Sequence, residues 1–217
     1  MDYPNRWFQE TLEMSIAAPP KFIGIPLTGR VSGFRRFTVP EYHKLIEIGL
    51  LTDDDLELLD GHWVKKTSRN PPHDGTLKKL EKRIALTLPD GWDTRVQMAF
   101  SLVNSEPEPD LLIPRNDPDE YMTRHPNPSD LGIVIEVANT TLASDRNDKA
   151  PVYALAGVPE YWIVNITQSR IEVYSQPDPQ TYPPAYRKLT AYSLGQTFPL
   201  NLDGQHLADL PLDELLP

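Results

Sequence analysis

Pro107-Glu108-Pro109-Asp110-Leu111-Leu112-Ile113, then Leu131-Gly132-Ile133-Val134-Ile135-Glu136-Val137-Ala138, then Asp145-Arg146-Asn147-Asp148-Lys149: these three pieces decide the fold. The first two are short apolar runs bounded by proline and polar turns, the pattern of buried strands. Asp110 starts one run and Glu136 sits inside the other, between Ile135 and Val137. A carboxylate inside an apolar run is costly unless a metal, a cation or a set of hydrogen bonds meets it. Taken alone, Glu136 fits a metal ligand and a residue on the solvated side of a strand equally well.

Between the two runs, Pro114 to Asp130 is a polar loop with four prolines, of a length that is commonly functional or mobile. Downstream, Asp145 to Ala156 reads as a helix closed by Gly157. Pro151 confines its regular part to about Asn147 onward, because proline is tolerated only in a first turn. Val158 to Val164 is a strand, paired with Arg170 to Tyr174 across a polar turn. Pro177 to Pro184 reads as a loop, Tyr186 to Tyr192 as the last strand, and Leu207 to Leu216 as a short helix or hook.

Upstream, Arg95 to Val103 reads as a strand. Leu77, Leu80, Ile84 and Leu88 follow Pro71-Pro72 at helical spacing and stop before Pro89-Asp90-Gly91. Asp60-Gly61 between Leu56–Leu59 and Trp63–Lys66 is a hairpin signal. Thr38-Val39-Pro40-Glu41 spells a capping box for a helix over 39–48, with Gly49 at its end. Residues 1–33 show no clear period and are expected to form an N-terminal extension, with Trp7, Phe8 and Leu12 anchoring a short helix. One domain is expected over 34–217. Strands and helices mix without strict alternation, so the class is α/β in the broad sense, an α+β mixed sheet.

The 217-residue chain has no cysteine, which excludes a disulfide framework, a thiolate metal site and a thiol nucleophile. No apolar window reaches the length of a membrane span. The N-terminus lacks a basic segment followed by an apolar run, so the cytoplasm is the expected location. A net charge of −10 argues against general nucleic-acid binding. Two local basic patches stand out against it, Lys65, Lys66 and Arg69, and Lys78, Lys79, Lys82 and Arg83. Each reads by default as a solvated face.

Two acids and a lysine around a strand pair suit a hard divalent cation, Mg²⁺ or Mn²⁺, and an anionic substrate. Phosphodiester hydrolysis is the natural reaction for such a set. There is no G-x-S-x-G, no glycine-rich phosphate loop and no H-E-x-x-H. The five histidines are far apart in sequence. His73 stands out among them because it starts a helix just after the hairpin.

Several pieces, taken in order, carry a resemblance. They are Phe37 to Tyr42, Leu56 to Gly61, Pro72-His73, Ser105 to Asp110, Val134 to Val137, Asp145-Arg146 with Lys149, and Tyr153 to Val164. Over about residues 34–212 the chain resembles the Uma-two family of restriction-endonuclease-like proteins, within the PD-(D/E)XK nuclease superfamily. The resemblance implies a restriction-endonuclease-like core with an added N-terminal helix and hairpin. It implies Asp110 and Glu136 as metal ligands with the backbone carbonyl of Val137 as a third. The signature lysine, normally two residues after the Glu, is replaced here by Ala138. The family's shifted lysine corresponds to Lys149 on the following helix. Glu57 in the hairpin and His73 match further family positions. Two departures stand beside these matches. Gly61-His62 replaces the family's Gly-Glu, and Asn139-Thr140-Thr141 follows the second carboxylate.

The implied function is a Mg²⁺- or Mn²⁺-dependent endonuclease on nucleic acid, with DNA the first choice and a homo-oligomer, a dimer, as the expected assembly. An exposed hairpin edge near Ile171 to Tyr174 would suit that dimer. The alternative is a catalytically silent nuclease fold used as a binding or regulatory module. A third reading makes Glu136 and Lys149 a satisfied ion pair with no metal. An open cleft holding Asp110, Glu136 and Lys149 favours the first reading, and a closed dry pair the third.

Overall fold

The computed structural model describes residues 35–51, 56–67 and 69–217. The expected N-terminal extension and its helix around Trp7, Phe8 and Leu12 lie outside the described residues. Thr38 opens α1 (Val39–Glu47) with the predicted capping box. Its hydroxyl accepts the Glu41 N–H, and the Glu41 carboxylate accepts the Thr38 N–H. β1 (Leu56–Leu59) and β2 (His62–Lys65) form the expected hairpin. Asp60 and Gly61 both take positive φ, as the tight primed turn requires. Asn70 caps α2 (Pro71–Ala85), whose prolines occupy the first turn, where a missing N–H costs nothing.

The body is a six-stranded sheet in the order β3 (Arg95–Val96), β4 (Leu111–Pro114), β5 (Leu131–Ala138), β6 (Glu160–Asn165), β7 (Arg170–Asp178), β8 (Ala185–Ser193). Its neighbours are antiparallel except β5 and β6. A parallel pair needs a crossover. Here that is a continuous helical segment made of α3 (Leu142–Ser144), a π-helical stretch Asp145–Lys149 and α4 (Ala150–Ala156), closed by Gly157 in the left-handed region. β9 (Thr197–Leu202) and β10 (Gln205–Pro211) form a separate hairpin, and α5 (Leu212–Leu215) ends the chain.

Two apolar layers hold the sheet. On one face Ile133, Ile135, Val137, Trp162 and Val164 pack with Leu77, Leu80 and Ile84 of α2 and with Phe198, Leu200 and Leu210 of the C-terminal hairpin. On the other, Val134, Ala138, Tyr161 and Ile163 pack with Phe100 and with Ala150 and Tyr153 of α4. The two-residue period of β5 therefore puts Glu136 on the α4 face. Gly132 permits the close seating of the C-terminal hairpin. A Cβ there would stand 2.5 Å from Leu202 Cδ2 and 2.8 Å from the Trp92 ring.

Several expectations need correction. The strand over 95–103 is only Arg95–Val96. Gln97 at φ +53 ends the ladder, and the rest runs irregularly, with the Phe100 and Leu102 N–H groups donating to Pro107 and Ser105. The crossover helix begins at Leu142, before the expected Asn147. Pro151 does not delay its start; instead it accompanies a widened turn in which the Ala150 N–H reaches the Asp145 carbonyl five residues back. Pro177 lies inside β7, so the loop is shorter than 177–184. β8 is not the last strand, and the first half of the expected C-terminal helix or hook is β10, with the short helix α5 in the second half. The stretch 171–174 is no edge, because β7 lies between β6 and β8. Among the described residues no helix is long and apolar enough to cross a membrane.

Candidate functional site

Leu111 pairs with Ile135 across β4 and β5, which run antiparallel. Asp110, just before β4, and Glu136-Val137, near the end of β5, therefore meet at one end of the sheet. Asp110 Oδ2 accepts the Val137 N–H at 2.8 Å, in the place a ladder partner would take. A strand residue directs its own N–H and C=O to the same side, so the Val137 carbonyl also faces the Asp110 side.

The first turn of α2 delivers His73, whose Nε2 lies 3.1 Å from Asp110 Oδ1. The hairpin delivers Glu57, which is buried; its Oε2 accepts the Glu108 N–H at 3.0 Å. The π-helical stretch delivers Lys149. Its Nζ donates to Glu136 Oε1 at 2.8 Å and lies 3.2 Å from Glu57 Oε1. Tyr153 donates to the same Glu136 oxygen at 3.1 Å. Asp145, buried one turn before Lys149, accepts the Thr141 hydroxyl at 2.7 Å.

Glu57, His73, Asp110, Glu136, Val137, Asp145 and Lys149 line one cleft of ≈ 320 Å³. All six residues singled out in the sequence are thus brought to one place. Asp145 and Tyr153 were missed as members of the cluster. Asp145 carried a signal, since it stands four residues before Lys149 on the same helix. Tyr153 gave none, because an aromatic at helical spacing reads as core. Of the two departures, Asn139, Thr140 and Thr141 line the cleft, whereas His62 is exposed and does not. The basic patches also separate. Lys65, Lys66 and Arg69 line the cleft, with Lys66 bonded to Glu108 at 2.6 Å. Lys78 and Arg83 instead pair with Glu81 and Glu214.

Electrostatics set the protonation of the cluster. Burial, together with the charges of Asp145, Asp110 and Glu57, pushes the Glu136 carboxyl well up against the pull of Lys149. Burial also raises Asp145, to about 6, with Lys149 and the Thr141 hydroxyl opposing. Burial alone would lower Lys149, but Glu136 and Glu57 reverse this and hold it well above the ordinary ammonium value. One lysine faces three buried carboxylates, so burial and mutual repulsion raise Glu136 and Asp145 while the lysine is held in its charged form. Burial would raise Asp110, but the hydrogen bond and charge of His73, the Val137 N–H and Lys149 bring it below the usual range. His73 is raised in return, chiefly by its hydrogen bond to Asp110.

Among the described residues no group of three or more His, Asp or Glu stands at metal-binding spacing. Each carboxylate is drawn to its own partner instead, Asp110 to His73 and Glu136 to Lys149. The donor set itself is all oxygen and fits a hard cation.

Residues 39–209 match the sequence profile of the Uma2 family, described as "Putative restriction endonuclease". The fold is similar to a crystal structure from Anabaena variabilis described as "a putative nuclease belonging to DUF820". The two share a TM-score of 0.62 and 14% identity, over 82% of this chain and 97% of that one. At that identity the likeness speaks to the fold alone. No curated protein matches the chain.

Proposed function

We propose, on the premise that the chain belongs to the Uma2 family, that the protein is a divalent-metal-dependent endonuclease acting on nucleic acid. The observation that supports this reading is the convergence of Asp110, Glu136 and Lys149, from three separate elements, in one open cleft. Asp110, Glu136 and the Val137 carbonyl would hold Mg²⁺ or Mn²⁺. Such an ion supplies Lewis acidity to a phosphoryl oxygen and lowers the pKa of a water. Glu136 would be free to hold it with Lys149 paired to Glu57 alone. Lys149, charged and rich in donors, then orients the attacking water and meets the charge that develops on the phosphoryl group. Glu57 keeps the lysine in place, and His73 fixes the Asp110 carboxylate. Exposed Lys65 and Arg69 line the same cleft and suit phosphates flanking the scissile one. DNA is the substrate to test first, and a homodimer would widen the cationic groove of an otherwise acidic chain.

A second reading is favoured by the net charge of −10 and by the Asn139-Thr140-Thr141 stretch that lines the cleft. In that reading the fold is a catalytically silent binding or regulatory module. Calorimetry with Mn²⁺ and Mg²⁺ on the wild type and on Glu136→Gln separates the two. The nuclease reading expects binding that the variant loses, together with metal-dependent cleavage of single- or double-stranded DNA. No metal binding, with or without an oligonucleotide present, favours the silent module.

A further inference from the structure

A second cavity, of ≈ 530 Å³, shares Gln97 and Glu108 with the acidic cleft. At its floor lies Glu106, 5% exposed. Its backbone N–H donates to Leu58 at 2.8 Å, which registers it beside the strand that carries Glu57. The Ser101 hydroxyl donates to Oε2 at 2.7 Å, His43 Nε2 lies 2.5 Å from Oε1, and His125 Nε2 lies 4.0 Å from the same oxygen. No Lys or Arg among the described residues pairs with this carboxylate. Each of its oxygens keeps a lone pair beyond the bond it already accepts.

Tyr42, Ile46, Met98 and Ala99 give the cavity apolar walls, and Arg95 adds a guanidinium. Among the described residues that guanidinium makes a 3.4 Å contact to the Glu120 carbonyl and lies over the Tyr121 ring, 5.1 Å from its centroid. Arg95 Nε and His125 Nδ1, both on cavity-lining residues, are buried and have no hydrogen-bond partner among the described residues. The chemistry assigned to the neighbouring cleft uses none of these groups.

We propose that this cavity is a nucleobase subsite, selective for guanine, for the nucleotide next to the phosphate in the acidic cleft. The proposal rests on the nuclease reading of that cleft. A carboxylate accepts two parallel hydrogen bonds from a base only where two donors are adjacent on one edge. Of the common bases only guanine offers this, at N1–H and the 2-amino group. Its other polar edge, O6 and N7, presents the acceptors that arginine meets. The N1 and 2-amino edge is occupied in a Watson–Crick pair, so the base must enter unpaired or flipped out. A chain of net charge −10 suits this mode, since base contacts supply what phosphate contacts cannot.

The test uses nucleosides, which lack a phosphate, in metal-free buffer. Binding of guanosine, adenosine, cytidine and thymidine is measured by saturation-transfer NMR and calorimetry on the full chain. Guanosine is expected to bind at least about tenfold more tightly than the other three, and Glu106→Gln to remove that preference. Ala99→Phe, which fills the cavity without touching its hydrogen bonds, is expected to abolish binding while Mn²⁺ affinity stays at the wild-type level. Equal affinity for all four nucleosides, or an unchanged preference in Glu106→Gln, overturns the subsite. Oligonucleotide cleavage without guanosine binding overturns the subsite alone. Guanosine binding with no cleavage under any metal overturns the nuclease reading alone.

Discussion

Lys149 Nζ and Glu136 Oε1 stand 2.8 Å apart, one at the close of a π-helical stretch and the other inside the strand that precedes it. Both side chains are nearly out of solvent, so neither can be removed alone without leaving a buried, uncompensated group. Lys149→Met is expected to lower metal-free stability by about 3 kcal/mol. It should also slow cleavage by about a hundredfold or more, as loss of one charge-stabilising donor does. Mn²⁺ binding should tighten in the same variant, because in the proposed site the lysine would compete with the ion for Glu136. Calorimetry showing weaker Mn²⁺ binding in Lys149→Met would remove the competitor role.

The carboxyl cluster makes metal-free stability depend on pH. Asp145 has a folded value of about 6 against an ordinary 3.8. A carboxyl raised by folding binds its proton more tightly in the native state. The stability it brings is full below the ordinary value and is lost as pH rises through about 6. Thermal unfolding of the metal-free protein should therefore show a decline across that window, and Asp145→Asn should flatten it.

His73 offers a direct spectroscopic check on Asp110. Its imidazole is held above the ordinary value chiefly by the Asp110 hydrogen bond, so the stability from this pair is present at low pH and lost as pH rises through the raised value. NMR titration should find the imidazole pKa above 6.5 in the wild type and lower in Asp110→Asn. Saturating Mg²⁺ should lower it as well, because a cation on Asp110 removes the negative charge that His73 senses. An imidazole pKa indifferent to Mg²⁺ would take Asp110 out of the metal site.

The cleft was legible in the sequence because it is built from short, regular pieces. An acid inside a strand run, an Asp-Gly turn and a helix with His73 in its first turn each fix their own local geometry, and β-pairing then brings the strand ends together. Val137 was readable only through the family resemblance, since a backbone carbonyl leaves no trace in side-chain identity. The C-terminal hairpin was readable and was overlooked: Asp203-Gly204 repeats the turn spelling of Asp60-Gly61, and both its residues take positive φ. Pro199 and Pro211 obscured it, since proline argues against a strand, yet both fit an isolated two-stranded hairpin. Gln97, with a left-handed backbone that its residue type does not predict, explains the strand that ended early.

The rim cations make a prediction about salt. Lys65→Ala with Arg69→Ala should reduce the salt slope of DNA binding by about 0.7–0.9 per lost phosphate contact. Lys78→Ala with Lys79→Ala, on the outward face of α2, should leave the slope unchanged. Filter binding of a cleavage-dead Glu136→Gln protein across salt concentrations reads both.

Gly132→Ala should destabilise the fold by about 1–3 kcal/mol through overpacking against Leu202 and Trp92. Urea unfolding measures it. No change would mean that the β9–β10 hairpin can lift from β5 without loss.

Pro151 stands two residues after Lys149, beside the wide turn that carries the ammonium. The wide turn just before it admits one residue more than an ordinary helical turn. In a helix a one-residue slip swings everything beyond it by about 100°. If Pro151→Ala let that turn tighten, the lysine would rotate off Glu136 while every ligand kept its place. The ammonium thus rides at the close of a turn one residue wider than its neighbours, beside a ring that has no charge at all.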